Sequence, residues 1–240
     1  MKYLILGLSI TGIWATSATA EGTWILGAGV NASQSPYVGD KDDATLFPYF
    51  AYETERLSLS VGGLSYTLLD NQGLEVDVLL SPRFAPDFPD SDLFAGLDRD
   101  DAAELGFGAT YQFGAAYAEL TFLHDITDAH EGYEGTASVG YELALGQLGI
   151  NAAAGVKFRD ANLNNYLFGV TDGEATATRA AFDVGDTTTA FASLTAVYPL
   201  SDRMFLLGEV SVEDLGDAAK SPLVDDDRLA DITIGVGFQF

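Results

Sequence analysis

Hydrophobic residues recur at every second position over segments of about ten residues, and this period of two is the dominant order in the chain. In 232–240, Ile232, Ile234, Val236, Phe238 and Phe240 alternate with Thr233, Gly235, Gly237 and Gln239. In 104–113, Leu105, Phe107, Ala109, Tyr111 and Phe113 alternate with Glu104, Gly106, Gly108, Thr110 and Gln112. Residues 133–143 repeat the pattern against Glu134, Thr136, Ser138, Gly140 and Glu142, and 148–158 against Gly149, Asn151, Gly155 and Lys157. Residues 74–84 do so against Glu75, Asp77, Ser81 and Arg83, while Trp24, Leu26, Ala28 and Val30 begin the series. Successive side chains of a strand leave on opposite faces, so each segment predicts a strand with one apolar and one polar face.

A soluble sandwich would alternate in the same way, and three features favour a membrane barrel instead. The segments run to about ten residues or more, the length of a tilted span, whereas soluble strands average about five or six. Tight connections at Gly114, Gly146-Gln147 and Ser201-Asp202 alternate with long acidic ones at 85–101, 159–187 and 214–228. Short turns on one side and long loops on the other are the outer-membrane pattern. Tyr111, Phe113, Tyr117, Tyr141, Tyr198 and Phe205 lie beside the tight turns, as an interfacial aromatic girdle requires. The expected fold is therefore all-β, a closed antiparallel transmembrane β-barrel.

Spans read at 22–33, 44–53, 56–69, 74–84, 102–113, 115–125, 132–144, 148–158, 188–198, 203–213 and 229–240 make eleven. Both termini on the periplasmic side demand an even number. The discrepancy falls in 56–69, where Leu57, Leu59 and Val61 hold one phase and Leu64, Tyr66 and Leu68 the other, with Gly62-Gly63 at the switch. A tight turn there gives twelve strands, the expected count; a bulge, with a segment demoted, gives ten.

Composition then adds a constraint. Acidic residues number 36 against 11 basic ones, a net charge of −25, which excludes the basic footprint of a nucleic-acid binder. Yet 48% of residues are hydrophobic and 12% aromatic. A barrel reconciles the two by sending apolar side chains to lipid, small and polar ones to the lumen, and most carboxylates to loops. At the N-terminus, Lys2 gives a positive start, 3–14 is mostly apolar but too short to span, and Ala18-Thr19-Ala20 is a small-residue cleavage site. Residues 1–20 are thus expected to be a signal peptide, with Sec-type export and cleavage near Ala20. Residues 21–240 form one domain in the outer membrane of a Gram-negative envelope, against outer-membrane lipid and lipopolysaccharide. The chain has no cysteine, hence no lipoprotein anchor and no disulfide framework.

Several short motifs carry a resemblance. Ser35-Pro36-Tyr37-Val38-Gly39-Asp40 stands in the first loop, Phe47-Pro48-Tyr49-Phe50-Ala51-Tyr52 enters the second strand, and Asn165-Tyr166-Leu167-Phe168-Gly169-Val170 precedes Glu174 and Ala175 in a long loop. In this order, with the terminal Phe240, they resemble the MipA/OmpV family, the MltA-interacting protein family of outer-membrane proteins. The resemblance covers nearly all of the mature chain. It implies a non-enzymatic envelope scaffold or interaction protein that links a periplasmic murein lytic transglycosylase to a murein synthase. Other members of the family resemble adhesins or stress-linked envelope proteins. It carries no catalytic motif over, and the first loop departs from the family in its acidity (Asp40, Asp42, Asp43). Pro36, Tyr37, Gly39, Asn165, Tyr166, Phe168 and Gly169 are the candidate loop interaction residues.

Other chemistry is sparse, and neither a cofactor nor a metal is expected. The two histidines, His124 and His130, flank a predicted extracellular loop. His124-Asp125 has the types of a base and its orienting carboxylate, but neighbours on a strand point apart, so the pair reads as a polar strand end. Asp98, Asp100, Asp101 and Glu104, and again Asp225 to Asp227, are oxygen-rich, but lack the glycine and ligand spacing of a calcium loop and read as solvated surface. The apolar stretch 165–170 is expected to fold into the lumen as a plug or latch, with presentation of a binding edge as the alternative. The main rival function is a narrow channel for small solutes. Glu75, Asp77, Glu134, Glu142 and Glu209 would make its lumen prefer cations, unless Lys157 and Arg83 neutralise some of them in a closed polar core.

Overall fold

A computed structural model describes residues 22–40 and 43–240. The expected signal peptide lies outside the described residues. Twelve strands follow one another: β1 (Thr23–Ser33), β2 (Asp43–Glu53), β3 (Leu57–Ser60), β4 (Gly63–Asn71), β5 (Leu74–Arg83), β6 (Ala102–Phe113), β7 (Ala116–Asp125), β8 (Tyr133–Leu145), β9 (Leu148–Arg159), β10 (Thr187–Pro199), β11 (Met204–Asp214) and β12 (Arg228–Gln239). Each pairs antiparallel with its sequence neighbour, and β1 closes on β12 from Ile25↔Gln239 to Ser33↔Asp231. Closure is what lets a sheet stand in hydrocarbon, where an unpaired backbone group finds no water.

The strand count is decided at the glycine pair. Ser60 faces Gly63 and Leu59 faces Leu64, so Val61 and Gly62 form a tight turn between β3 and β4. A two-residue turn shifts the alternation by one, which is why the apolar phase switches there while Leu57, Leu59, Leu64 and Tyr66 share the outer face. Gly63 adopts φ +129° with the Leu80 carbonyl where a Cβ would stand, a position that suits glycine alone. A bulge also exists, slightly further on: Thr67 faces Asp77 but Leu69 faces Val76, leaving Leu68 over.

The even count brings both barrel termini to the end with tight connections, at 54–56, 72–73, 114–115, 146–147 and 200–203. The opposite end carries loops L1 (34–42), L3 (84–101), L4 (126–132), L5 (160–186) and L6 (215–227), with the turn 61–62 as L2. On the outer wall, Leu46 is 70% exposed, Ile234 64% and Leu120 60%. A continuous apolar band of this kind is untenable in water and marks the lipid-facing surface. Trp24, Tyr111, Phe113, Tyr141, Tyr198 and Phe240 are exposed near the tight turns, as a girdle should be. Tyr117 and Phe205 are corrections to that girdle. Tyr117 faces Gln112 and Phe205 faces Gly237, both on the lumen side, because a turn resets the parity that counting along the chain carries forward.

The apolar core of the molecule lies outside the barrel. Tyr37 of L1, Phe94 of L3, Phe168, Val170 and Val184 of L5, and Leu215, Ala218, Leu223 and Val224 of L6 form one buried cluster over the loop end. Within L5 sits helix α1 (Ala161–Phe168), capped by Asp160, whose Oδ1 accepts from Leu163 N at 3.1 Å. Four loops thus make a cap with its own packed interior.

Candidate functional site

Paired residues share a face, so the registers name the lumen lining without further assumption. In its outer half, Arg83 (β5), Glu104 (β6), Glu134 (β8), Lys157 and Arg159 (β9) and Glu213 (β11) all point inward. They join in series. Lys157 Nζ lies 2.6 Å from Glu213, whose other oxygen is 2.6 Å from Arg159 Nη1; Arg159 Nε is 2.8 Å from Glu134. Arg83 then reaches Glu134 at 3.7 Å and Glu104 at 2.6 Å. The members sit on β5, β6, β8, β9 and β11, so the series runs round one half of the ring of twelve strands. Three cations meet three carboxylates, so the linked series is neutral in itself; Asp231 of β12, buried nearby, accepts from Ser33 Oγ instead of a cation.

His130 of L4 ends the series. Its ring is buried, with Nδ1 accepting from Gly132 N at 3.0 Å and Nε2 3.3 Å from Glu104 Oε1. The Nε2 contact lacks the alignment of a hydrogen bond, so proximity, not bonding, is the right description. The Nδ1 contact assigns the proton to Nε2. Asp125 holds this loop in place: its carboxylate accepts from Thr127 N and Oγ1, His130 N and Glu131 N at 2.7–2.9 Å. His124 faces the outside, since its strand neighbours His124↔Leu105 and Asp125↔Glu104 take opposite faces. The two side chains therefore do not meet as a base and its orienting acid.

The inner half of the lumen is built differently. Glu53, Glu75, Asp77, Glu119, Glu142 and Glu209 point inward there, and among the described residues none of them has a salt bridge. Thr67 Oγ1 donates to Asp77 at 2.7 Å, and Tyr117 OH donates to Asn151 at 3.0 Å. Of the charged lumen residues expected from sequence, Glu134 and Lys157 thus enter the neutral layer, while Glu75, Asp77, Glu142 and Glu209 line an acidic vestibule. Arg159 and Glu213 close the series but were not among the expected lumen charges; both lie on strand ends beside acidic loops, where alternation is hardest to follow.

Above the layer, the two loop motifs meet. Tyr37 OH donates to Leu167 O at 3.1 Å, Tyr37 bridges to Val224, and Pro36 O accepts from Asp225 N at 3.1 Å. Gly39 takes φ +75° at the tip of L1. Asn165 clamps L5 on itself, donating to Asp183 at 2.8 Å and accepting from Val184 N at 2.9 Å. Tyr166 points down from α1 onto the layer, its ring 5.1 Å from His130 and its hydroxyl donating to Asp100 O at 2.8 Å. Burial pushes its phenol up to about 12, and pushes the Tyr37 phenol up further, so both stay neutral donors. Phe168 is in the cap core, and Gly169 O accepts from Arg99 Nη2 at 3.4 Å.

Two arginines that no sequence pattern singled out bind the cap together. Arg99 of L3 donates to Glu174 at 2.6 Å and to Tyr166 O at 3.0 Å. Burial works against the Glu174 charge, but Arg99 and the Thr171 N–H and hydroxyl outweigh it and hold that carboxyl below its usual range. Arg179 is 2% exposed and donates to the carbonyls of Leu93, Ala95 and Glu174. The first acidic cluster is dispersed: Glu104 is in the lumen layer and Asp101 accepts from Ala85 N at 2.9 Å. Among the described residues, no three histidines or carboxylates are grouped as a metal ion requires.

A capped twelve-strand barrel with these loop motifs can be compared with known proteins. The family model described as MltA-interacting protein MipA matches residues 26–240. The chain belongs to that family. Among relatives of this MipA-family barrel, outer membrane protein OmpV of Vibrio cholerae is 29% identical over 86% of this chain and 82% of its own. Omp26La of Vibrio anguillarum is 28% identical over the same shares. The MltA-interacting protein of Escherichia coli is 26% identical over 100% of this chain and 99% of its own. The chain is thus an outer-membrane protein by family as well as by architecture. Among solved structures, the NanC porin aligns over 89% of this chain and 98% of its own at 9% identity with a TM-score of 0.45. A COG4313 outer membrane channel from Pseudomonas putida F1 aligns over 93% and 97% at 11% identity, also at 0.45.

Proposed function

We propose that this barrel is a closed, non-enzymatic interaction protein of the outer membrane, and that its partner is a periplasmic murein lytic transglycosylase, with a murein synthase as the second client. The observation that carries the closed state is the neutral ion-pair layer from β5 to β11, roofed by the cap core. A pore needs a continuous water path, and a half-ring of inward side chains paired at 2.6–3.7 Å beneath the cap obstructs it. The partner class rests on the relative named MltA-interacting protein, which spans the same length. The acidic vestibule opens toward the periplasm and presents charge, more than surface, to such a partner. The pairing of His124 and Asp125 with opposite faces supports the non-enzymatic reading.

Purified barrel immobilised by its loop end should retain a lytic transglycosylase from periplasmic extract in a salt-sensitive manner, and bilayers holding the barrel should show no steady conductance. Steady cation-selective conductance by the intact chain, with no enzyme retained, would replace this reading with the channel that the acidic vestibule favours.

A further inference from the structure

Loop L4 is held in a shape that its own residues resist. Asp128 and Glu131 stand at φ +58° and +53°, the left-handed region that residues with a side chain enter at a cost. Such backbone persists only where its surroundings fix it, and two side chains do so here. The Asp125 carboxylate accepts from the N–H groups of Thr127, His130 and Glu131. His130 Nδ1 accepts from Gly132 N at 3.0 Å. Gly132 is also where L4 meets L5, packed so closely on Leu163 N and Asp160 Oδ1 at the start of α1 that a Cβ has no room. One imidazole nitrogen thus secures the point at which the two loops interlock.

The other nitrogen is not secured. The His130 side chain is 0% exposed, and among the described residues its Nε2 has no hydrogen-bond partner. A buried polar atom without a partner is rare in folded proteins and asks for a reason. From β6, Glu104 Oε1 lies 3.3 Å from Nε2, but that oxygen already accepts from Arg83 of β5 at 2.6 Å. Behind Arg83 stands Glu134 of β8, which Arg159 of β9 also holds. Asp125 of β7 is engaged by the L4 backbone, and Asp160, ahead of α1, by Tyr133 N and Leu163 N. From above comes the ring of Tyr166, a neutral phenol, with Arg99 and Asp101 of L3 close enough to act on it. Within L4, Asp128 and Glu131 are exposed. The carboxylate nearest the unsecured nitrogen therefore has its cation without any help from His130.

We propose that His130 is a proton-operated latch on L4, closed by the neutral imidazole and opened when the ring takes a second proton. That proton goes to Nδ1, because the bond from Gly132 marks Nε2 as the nitrogen that already carries one. Nδ1 then becomes a donor facing the Gly132 N–H, and the bond at the junction of L4 and L5 is lost. The proton also adds a fourth cation to three carboxylates already matched, in a place away from water. Glu104 attracts the imidazolium, but through the oxygen that Arg83 occupies. Movement of L4 outward hydrates the imidazolium and releases Asp128 and Glu131 from left-handed backbone. The clamps made by Arg99 and Arg179 use no residue of L4, so L3 and L5 stay in place. The latch does not depend on the partner proposed above.

The test uses the mature barrel refolded in detergent with His124→Asn, a change on the outer face that leaves His130 as the single histidine. Backbone hydrogen exchange of 126–132 is read from pH 7.5 to pH 5.0 as protection relative to the unstructured rate. Exchange at the imidazole C2 position over the same range titrates His130 itself. The expected result is a reversible fall in protection of 126–132 by about tenfold or more that follows the imidazole titration, while 84–101 and 160–186 keep theirs. His130→Asn keeps an acceptor near the place of Nδ1 and takes up no proton, so it should hold L4 protected throughout. Unchanged protection of 126–132 in the single-histidine chain, or a fall of the same size with His130→Asn, overturns the proposal. If His130→Asn does not fold, the single-histidine chain decides alone: backbone and imidazole curves that coincide support the latch, and curves that diverge overturn it.

Discussion

The two halves of the lumen are lined by the same strands yet solve the charge problem in opposite ways. In the outer half, Arg83, Lys157 and Arg159 are matched one for one with Glu104, Glu134 and Glu213. In the inner half, Glu53, Glu75, Asp77, Glu119, Glu142 and Glu209 stand without salt bridges among the described residues. A charge far from water must be paired, and one in a wet vestibule need not be. The contrast sets a paired outer layer against half-buried inner carboxylates that have no cationic partner among the described residues.

The sharpest way to break this contrast is Arg159→Ala, which strips the shared cation from Glu134 and Glu213. Leaving three buried carboxylates to share Arg83 and Lys157 should cost up to about 3–5 kcal/mol, read as a lower urea midpoint for the refolded barrel. If Arg159→Ala unfolds like the parent, the outer half is as wet as the inner. Next in size is Arg179→Ala, which removes charge-assisted bonds to three carbonyls worth about 1.5–3 kcal/mol each where fully formed. Its loss should fall on the cap alone: faster proteolysis within 84–101 while the barrel still resists heat in detergent.

A smaller effect is expected from acid. Arg99 and Thr171 depress the Glu174 carboxyl, so its contribution is fully present above the ordinary carboxylate value and is lost as pH falls through the lowered one. Protease sensitivity of L3 and L5 should therefore rise below about pH 4 and not between pH 5 and 8. Smallest of all is Glu142→Gln, which should change stability by less than about 0.5 kcal/mol, or raise it slightly by relieving repulsion. A loss near that of Arg159→Ala would show that the vestibule carboxylates have partners after all.

How far the sequence revealed this is best judged at particular residues. Alternation located the strands and, through the phase change at Gly62-Gly63, the place where the count turns from eleven to twelve. It placed Glu75, Asp77, Glu134, Glu142, Lys157 and Glu209 on the inner face, because period two is a property of the backbone. It did not say which of them are paired, because pairing depends on register between strands up to half a barrel apart. It misassigned Tyr117 and Phe205, which follow tight turns where parity resets. The cap was the least legible part. Tyr37 and Phe168 were singled out as motifs, but their meeting depends on loop paths with no periodicity, and Arg99 and Arg179 are isolated cations in acidic loops with no pattern to mark them.

The core in the loops bears on how the molecule is made. Its members run from Tyr37 to Val224, so nearly the whole chain must be in place before they can meet. Contacts so distant in sequence form late, after the entropy of closing β1 on β12 has been met. A barrel left open, or closed out of register, would therefore leave these aromatic loop residues unpacked.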